Sequence, residues 1–232
     1  MERVAPEISV IIPAYNEAAI IGKTVSSIQG ATHSDLVEII VVCNGCTDHT
    51  LEIAKEAGAI AINAPEKGAA KASNYGAKIA KGRTLVFLDA DTSIAENLID
   101  EVRKAVGTGY IGGRTVIKWE GENMWAKLFS LVSYVHRYKW GGFCFVDRSI
   151  FEDIGGYAEG KYGFDFDLAQ RVSSMGKTAF LWRSHVMTSS RRFDEEGWLK
   201  HLLLAAKRYY IDSIIRKRGV KSEDEIQYDD HR

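Results

Sequence analysis

Cysteine and proline are scarce in this chain, and no long apolar stretch runs through it. The 232 residues include three cysteines and three prolines, and the formal net charge is −1 at pH 7. A small, odd number of cysteines fits a reducing cytosol, and a balanced charge argues against bulk electrostatic binding of nucleic acid. No apolar run approaches the roughly 18 residues of a membrane span, and residues 1–7 are too polar for a signal peptide. We therefore expect a cytoplasmic protein.

The composition is that of a globular domain. Hydrophobic residues make up 46% of the chain and charged residues 26%, which are ordinary proportions for a soluble protein. The length suits one large domain, or one domain with a C-terminal appendage.

The most informative segment is the apolar run at 85–88, which stops at two carboxylates. Leu-Val-Phe-Leu is followed by Asp89-Ala90-Asp91, a D-x-D motif. At a strand end this spacing lets both carboxylates reach one hard cation, Mg²⁺ or Mn²⁺, with substrate phosphates completing the shell. Ser93 and Glu96 have the spacing of a capping box for the next helix, which leaves the two acids for chemistry. We predict a metal–phosphate site; the alternative is a structural turn.

Alternating strand and helix patterns predict an α/β fold. Strands are predicted at 8–13, 37–42, 59–63 and 85–88, with amphipathic helices between them. Asn16 is predicted to cap the first helix and Asp48 to open the second. The short connections imply a parallel, doubly wound sheet with ligands at the carboxyl ends of its strands. Polar residues follow the first, second and fourth strands, so we expect one crevice there.

The alternation breaks after Gly107. We predict a helix at 123–138, a strand at 141–146 and a helix at 163–175, with a turn at Gly155 and Gly156. No linker or repeat separates these parts from the first half. We expect them to complete the same domain and to build the acceptor side of its cleft.

Cys43 and Cys46 have the C-x-x-C spacing of redox and zinc sites. No second cysteine pair follows them, and Cys43 ends the apolar run at 39–42. We interpret both as small buried thiols rather than as metal ligands.

Six short motifs stand in a fixed order along the chain. They are 9–17 (SVIIPAYNE), 40–48 (IVVCNGCTD), 67–76 (KGAAKASNYG), Asp89-Ala90-Asp91, Gly155-Gly156-Tyr157 and 165–171 (DFDLAQR). Together these motifs resemble glycosyltransferase family 2, whose members have the nucleotide-sugar-binding GT-A fold. The resemblance covers roughly residues 7–193, and the motifs follow in the family's order.

The resemblance implies a fold, an activity and partners. The fold is the Rossmann-like GT-A fold, a mostly parallel sheet flanked by helices, here with a C-terminal helical extension. The activity is that of a metal-dependent, inverting, hexosyltransferase-like enzyme. Such an enzyme moves a sugar from a UDP- or GDP-linked donor to a hydroxyl of a lipid-linked or glycan acceptor.

The same resemblance implies which residues bind the nucleotide. Pro13, Tyr15 and Glu17 are similar to the family's nucleoside wall, and Asn44 to the residue that reads the edge of the base. Asn44 stands where relatives often have Asp, so uridine and guanosine both stay open.

The resemblance also implies that two residues of a later predicted helix bind the donor. Lys71 and Asn74 are placed toward the nucleotide or the sugar, with a solvated helix face as the alternative.

The resemblance also implies which residues bind the diphosphate and the metal. Asp89 is similar to the carboxylate on the ribose or donor sugar, and Asp91 to the one that holds the metal on the diphosphate. Arg191 and Arg192 would neutralise the departing diphosphate. His185 is a further candidate metal ligand, with a packed histidine as the alternative.

The resemblance places the general base at Asp165. The family usually has Glu before this position, whereas this chain has Phe164. Asp165 would take the proton of the acceptor hydroxyl, and one direct displacement would invert the anomeric carbon. Asp167 is expected to support the following helix instead.

We divide the chain into three parts. Residues 1–193 are predicted to form the GT-A domain, 194–221 an amphipathic basic helix, and 222–232 a disordered tail. We predict that the basic helix packs on the domain or on a second copy in a homodimer. The alternative is contact with the inner face of a membrane.

Two other functions stay open. A sugar-nucleotide nucleotidyltransferase would share the sheet and the acids, but it would show a glycine-rich phosphate loop, where this chain has Pro13-Ala14-Tyr15-Asn16. A non-catalytic nucleotide-sugar-binding protein would lack the base, whereas Asp165 is present.

Overall fold

Four parallel strands form the first half of the sheet. A computed structural model describes residues 6–31, 36–121, 142–159 and 164–191, and single residues at 124, 127, 128, 130, 131, 194 and 197. The strands are β1 (Ile8–Ala14), β2 (Val37–Cys43), β3 (Ile60–Asn63) and β4 (Thr84–Leu88). They lie in the order β3-β2-β1-β4, and every neighbouring pair is parallel, as predicted.

Helices cover both faces of this parallel unit. They are α1 (Ile21–Gly30), α2 (Thr50–Glu56) and α3 (Ala69–Ile79). Side chains of β1 alternate between two buried clusters: Val10 and Ile12 pack with residues of α1, and Ile11 packs with residues of α3. Continuous apolar strands are expected where a parallel sheet is covered on both sides.

The second half extends the sheet with both strand directions. Its strands are β5 (Thr92–Ile94), β6 (Gly112–Trp119), β7 (Phe143–Asp147) and β8 (Thr178–Thr188). Its helices are α4 (Leu98–Gly107), α5 (Arg148–Asp153) and α6 (Phe164–Met175). The sheet continues as β4-β7-β6-β8-β5; β7 is antiparallel to β4 and β6, β5 is antiparallel to β8, and β6 is parallel to β8.

Three of these strands, β5, β6 and β8, were not predicted. β5 has three residues, too few for a periodic pattern. β8 lacks a regular alternation because Trp182 and Arg183 are exposed at its centre, where its register against β6 shifts between Thr115 and Val116. The sheet is therefore mixed, with its parallel pairs concentrated in the first half.

Two predicted helix caps are wrong. Asn16 has a left-handed φ of 53°, and its Oδ1 accepts from the Thr47 backbone N–H at 2.8 Å, so it joins two loops instead of capping α1. Ser93 belongs to β5, and α4 begins only at Leu98. Ser93 and Glu96 therefore form no capping box.

Other local predictions are confirmed. Asp48 Oδ1 accepts from the backbone N–H of Thr50, the first residue of α2, at 3.0 Å. Cys43 ends β2 and is fully buried. Cys46 is only half-buried, and its thiol donates to the Ala14 carbonyl at 3.4 Å.

Some predicted elements lie outside the described residues. These are most of the helix at 123–138, the helix at 194–221 apart from two single residues, and the tail at 222–232. Within the part of the chain that the structure does describe, no helix is both long enough and apolar enough to cross a membrane.

Close contact between α3 and the sheet depends on Gly76. A Cβ there would lie 2.5 Å from Ile11 Cγ2 and 3.1 Å from Val42 Cγ2. We expect Gly76→Ala to lower the free energy of unfolding by about 1–3 kcal/mol, because these branched side chains have little room to move. Urea denaturation measures the change.

The matched control for this substitution is Gly107→Ala. A Cβ at Gly107, the last residue of α4, would meet nothing within 4 Å, so we expect equal or higher stability. Equal stability of Gly76→Ala and the natural protein would contradict the close packing of α3.

Candidate active site

A cleft with an empty volume of about 370 Å³ lies at the carboxyl ends of β1 and β4. This is the sheet edge where the sequence predicted a crevice. Its lining comes from both halves of the chain: Pro13, Ala69, Ser73, Phe87, Leu88, Asp89, Gly142, Phe143, Cys144, Tyr157 and Asp165. The candidate base and the first acid of the D-x-D motif thus share one cleft.

The two acids of the D-x-D motif occupy different positions in this site. Asp89 is exposed and lines the cleft, and its backbone N–H donates to the Gly142 carbonyl at 3.2 Å. Asp91 is half-buried; its Oδ1 accepts from the Thr188 hydroxyl at 3.4 Å, and its carbonyl accepts from Ser189 N–H at 3.1 Å. The motif therefore connects the end of β4 to the end of β8.

Asp165 is the second residue of α6 and is electrostatically unusual. Burial, followed by the charge of Asp89, raises its pKa to about 8, and a hydrogen bond from Tyr157 opposes this rise. A carboxyl group in that range can exchange a proton near neutral pH. Such perturbed groups in a cleft are characteristic of catalytic acids and bases.

Asp167, two residues further along α6, makes a structural contact. It pairs with Arg171 at 2.7 Å. Arg171 also donates to the carbonyls of Ile154 and Gly156, each at 2.7 Å. Asp167 therefore orients the arginine that holds the turn before Tyr157.

Asn74 anchors the same turn from α3. Its Oδ1 accepts from the Tyr157 backbone N–H at 2.8 Å, and its Nδ2 donates to the Tyr157 carbonyl at 3.0 Å and to Glu159 at 3.1 Å. Both ends of its amide are engaged by protein. These contacts position Tyr157, and a role of Asn74 in binding the nucleotide sugar stays a prediction.

Asn44 and Lys71 also have partners within the protein. Asn44 is buried at the end of β2, and its Oδ1 accepts from the Gly68 backbone N–H at 2.5 Å. Its amide thus holds the loop that begins α3. Lys71 Nζ lies 2.5 Å from Glu66 Oε2 on an open part of α3.

The loop after β1 meets the segment after β8. Pro13 lines the cleft, while Tyr15 and Glu17 are half-buried in the loop that follows. Glu17 Oε2 lies 3.0 Å from Arg191 Nη2, so two residues predicted to bind the nucleotide are neighbours across 174 positions of sequence. Arg192 lies outside the described residues.

His185 lies in β8, four residues before Ser189, and its role as a further metal ligand stays a prediction. Its carbonyl accepts from the Ala95 N–H, whereas the segment after β8 meets Asp91 at Ser189. The backbones of His185 and Ser189 are four residues apart, which corresponds to about 13 Å of extended chain. Burial and then the charge of Lys118 lower the pKa of His185. In the described part of the chain, no three His, Cys, Asp or Glu side chains group around a possible metal position.

Cys144 and the side chain of Tyr157 are among the cleft residues that sequence reasoning missed. Both are buried, with Tyr157 Oη 3.4 Å from Cys144 Sγ. A signal is present in Gly155-Gly156-Tyr157, which is interpreted from the sequence as a turn and as a family motif but without a role for the tyrosine. The adjacent left-handed φ angles of 77° and 70° at the two glycines turn the chain so that the tyrosine enters the core.

With this geometry in view, the chain belongs to glycosyl transferase family 2. The family model matches residues 9–168, a stretch that includes the D-x-D motif and Asp165. The family resemblance drawn from the sequence motifs is thereby confirmed. The nucleotidyltransferase alternative has no such support.

Curated relatives are named glycosyltransferases. The glycosyltransferase AglE of Haloferax volcanii is 35% identical over 123 residues, which are 49% of this chain and 40% of that protein. The dolichol-phosphate mannosyltransferase of Pyrococcus furiosus is 32% identical over 126 residues, 49% of this chain and 36% of that protein. The chain thus spans less than half the length of either relative in the matched region.

The fold also matches a solved structure. The mannosyltransferase PcManGT from Pyrobaculum calidifontis, in complex with GDP-Man and Mn²⁺, superimposes with a TM-score of 0.64 at 20% identity. The match covers 79% of this chain and 57% of that one. It shows the shared GT-A fold.

The raised pKa of Asp165 predicts that the stability of the folded protein depends on pH. Its folded value of about 8 exceeds the unfolded value of 3.8, so its contribution to stability is complete at low pH and is lost as the pH rises toward 8. Asn does not titrate. We expect the free energy of unfolding of Asp165→Asn to exceed that of the natural protein by about 1 kcal/mol or more near pH 8. This difference should become smaller as the pH falls.

Urea denaturation across this pH range measures the difference. Asp153→Asn, at the exposed end of α5, controls for the loss of one surface carboxylate. A difference between Asp165→Asn and the natural protein that does not change with pH would contradict the raised pKa.

Proposed function

We propose that this chain is a metal-dependent, inverting glycosyltransferase. It moves a sugar from a nucleotide-diphosphate sugar to a hydroxyl of a lipid-linked or glycan acceptor. The observation that carries this proposal is the convergence of Asp165, with its raised pKa, and Asp89 in one cleft at the carboxyl edge of the sheet.

Asp165 is the base in this proposal. Its carboxylate takes the proton from the acceptor hydroxyl as the acceptor oxygen bonds to the anomeric carbon. The bond from that carbon to the diphosphate breaks in the same step, and the diphosphate leaves with the electron pair. Attack opposite the leaving group inverts the anomeric carbon, and no sugar–enzyme bond forms.

Asp89 and Asp91 have the chemistry of a site for Mg²⁺ or Mn²⁺. Carboxylate oxygens suit these ions, and one or two of them suffice when substrate phosphates supply further ligands. The bound ion would neutralise charge on the departing diphosphate. Asp89 lines the cleft, and Asp91 is held at the end of β8 by Thr188, so the pair would face a diphosphate from one side.

Donor binding would use residues around the loop after β1. Pro13 lines the cleft, Tyr15 could stack on a base, and Glu17 holds Arg191 at 3.0 Å. Arg191 would exchange this carboxylate for the diphosphate when a donor binds. The complex of PcManGT with GDP-Man and Mn²⁺ supports a donor of this class; UDP and GDP sugars both remain in the proposal.

The acceptor proposal rests on the relatives. One of them is named for dolichol phosphate, a lipid acceptor. Contact of the segment at 194–221 with a membrane surface, or with a second copy, would suit such an acceptor and stays part of the proposal, together with a cytoplasmic location.

Metal dependence can be tested at Asp91. A ligand that binds only the folded state raises the unfolding temperature, so Mn²⁺ with GDP-Man or a UDP-sugar should stabilise the natural protein. We expect Asp91→Asn to lose the Mn²⁺-dependent part of this stabilisation and to keep its fold by circular dichroism. The control is Glu96→Gln, an exposed acid between β5 and α4. Undiminished, chelator-insensitive donor binding in Asp91→Asn would refute the metal assignment.

The base can be tested at Asp165. Asp165→Asn keeps the shape of the side chain but cannot accept the acceptor's proton. We expect sugar transfer to fall by about 10²–10⁴-fold, the usual contribution of a general base, while calorimetric donor affinity changes little.

Transfer of labelled sugar measures this loss, and NMR of the product reads the anomeric configuration. Full activity of Asp165→Asn, or a product with retained configuration, would overturn the inverting mechanism. Donor binding without any transfer by the natural protein would favour the non-catalytic binding protein.

A further inference from the structure

Tyr157 is a fully enclosed tyrosine beside the candidate base. It is 3% exposed and lines the cleft with Asp165 and Cys144. Its ring packs edge-on against Phe87, with centroids 4.9 Å apart, and lies 5.8 Å from the ring of Phe151. A hydroxyl in this apolar setting needs hydrogen-bond partners from the protein.

The partners of the Tyr157 hydroxyl are a thiol and a carboxylate. Tyr157 Oη lies 3.4 Å from Cys144 Sγ, and Tyr157 lines the same cleft as Asp165, whose pKa a hydrogen bond from Tyr157 lowers. When Asp165 is ionised, as a base must be, its carboxylate can only accept, so in that state the tyrosine donates to Asp165 and accepts from the Cys144 thiol. Burial raises the pKa of Cys144 and keeps the thiol protonated, as this direction requires. The three groups form a directed chain that ends on the base.

The backbone around Tyr157 is anchored from both halves of the chain. Asn74 on α3 pairs with its N–H and its carbonyl at 2.8 and 3.0 Å. Arg171 on α6 holds the preceding Gly156 carbonyl at 2.7 Å. A Cβ at Gly156 would lie 2.7 Å from Asn74 Oδ1, so the close contact between the Asn74 side chain and this turn requires glycine at position 156. Since α6 also carries Asp165, these contacts set the hydroxyl and the carboxylate at a defined separation.

We propose that Tyr157 is a positioning residue for Asp165, whose hydroxyl holds one carboxylate oxygen of the base so that the other faces the acceptor. This role rests on the proposed function, because Tyr157 acts only through the base. Holding one oxygen restricts rotation of the carboxylate before proton transfer, and correct orientation is worth a large part of a catalytic rate. The same hydrogen bond opposes burial and the charge of Asp89, so it also favours the ionised form of Asp165.

The test removes only the hydroxyl. Tyr157→Phe keeps the ring that packs on Phe87 and Phe151. We expect kcat for sugar transfer to fall by about 10- to 100-fold, while the KM for the donor and the unfolding temperature change little. The matched control is Tyr110→Phe, because Tyr110 is 37% exposed and does not line the cleft. This variant should keep the natural kcat.

A double variant shows whether Tyr157 acts through Asp165. Tyr157→Phe should cause little further loss in the residual rate of Asp165→Asn, because the base it positions is already gone. A natural kcat in Tyr157→Phe, equal losses in both backgrounds, or a loss confined to donor KM and stability would each overturn the inference. Failure of the proposed function is distinguishable, since Asp165→Asn alone would then keep full activity.

Discussion

Burial of β1 on both faces is the constraint on which the rest of the structure depends. Five of its seven residues are apolar side chains at most 2% exposed, and it pairs in parallel with β2 and β4. Because Ile8 lies level with both Val37 and Thr84, the three strands begin at one level. Their carboxyl ends therefore reach one edge of the sheet, where Asn44 and Asp89 follow directly.

The site itself is assembled at the seam between the two halves of the chain. β7 runs antiparallel beside β4, with Phe143 opposite Leu88, which brings Gly142 against Asp89. The turn before Tyr157 then ties α3 of the first half to α6 of the second through Asn74 and Arg171. Asp165 thus reaches the cleft with Asp89 through tertiary contacts rather than through proximity in sequence.

Electrostatics at this seam lower stability and, in the proposed function, favour catalysis. Asp165 is desolvated beside a second carboxylate, and both effects disfavour its charged form. A fold selected only for stability would place an uncharged side chain there. The hydrogen bond from Tyr157 offsets part of this cost and leaves a carboxyl group whose pKa lies close to physiological pH, which is where a general base is most effective.

The sequence by itself determined the strands and helices of the first half, the crevice at the strand ends and the family, because continuous apolar runs, helical periodicity and short motifs are local signals. It also located the acids and Asp165. It did not predict β5, β6, β8 or the antiparallel direction of β7, since strand direction and pairing depend on distant chain segments. Nor could it assign Asn74 to Tyr157, 83 positions away, or bring Tyr157 and Asp165 into one cleft. Only the tertiary structure decided these points, because each depends on which side chains packing brings within hydrogen-bond distance.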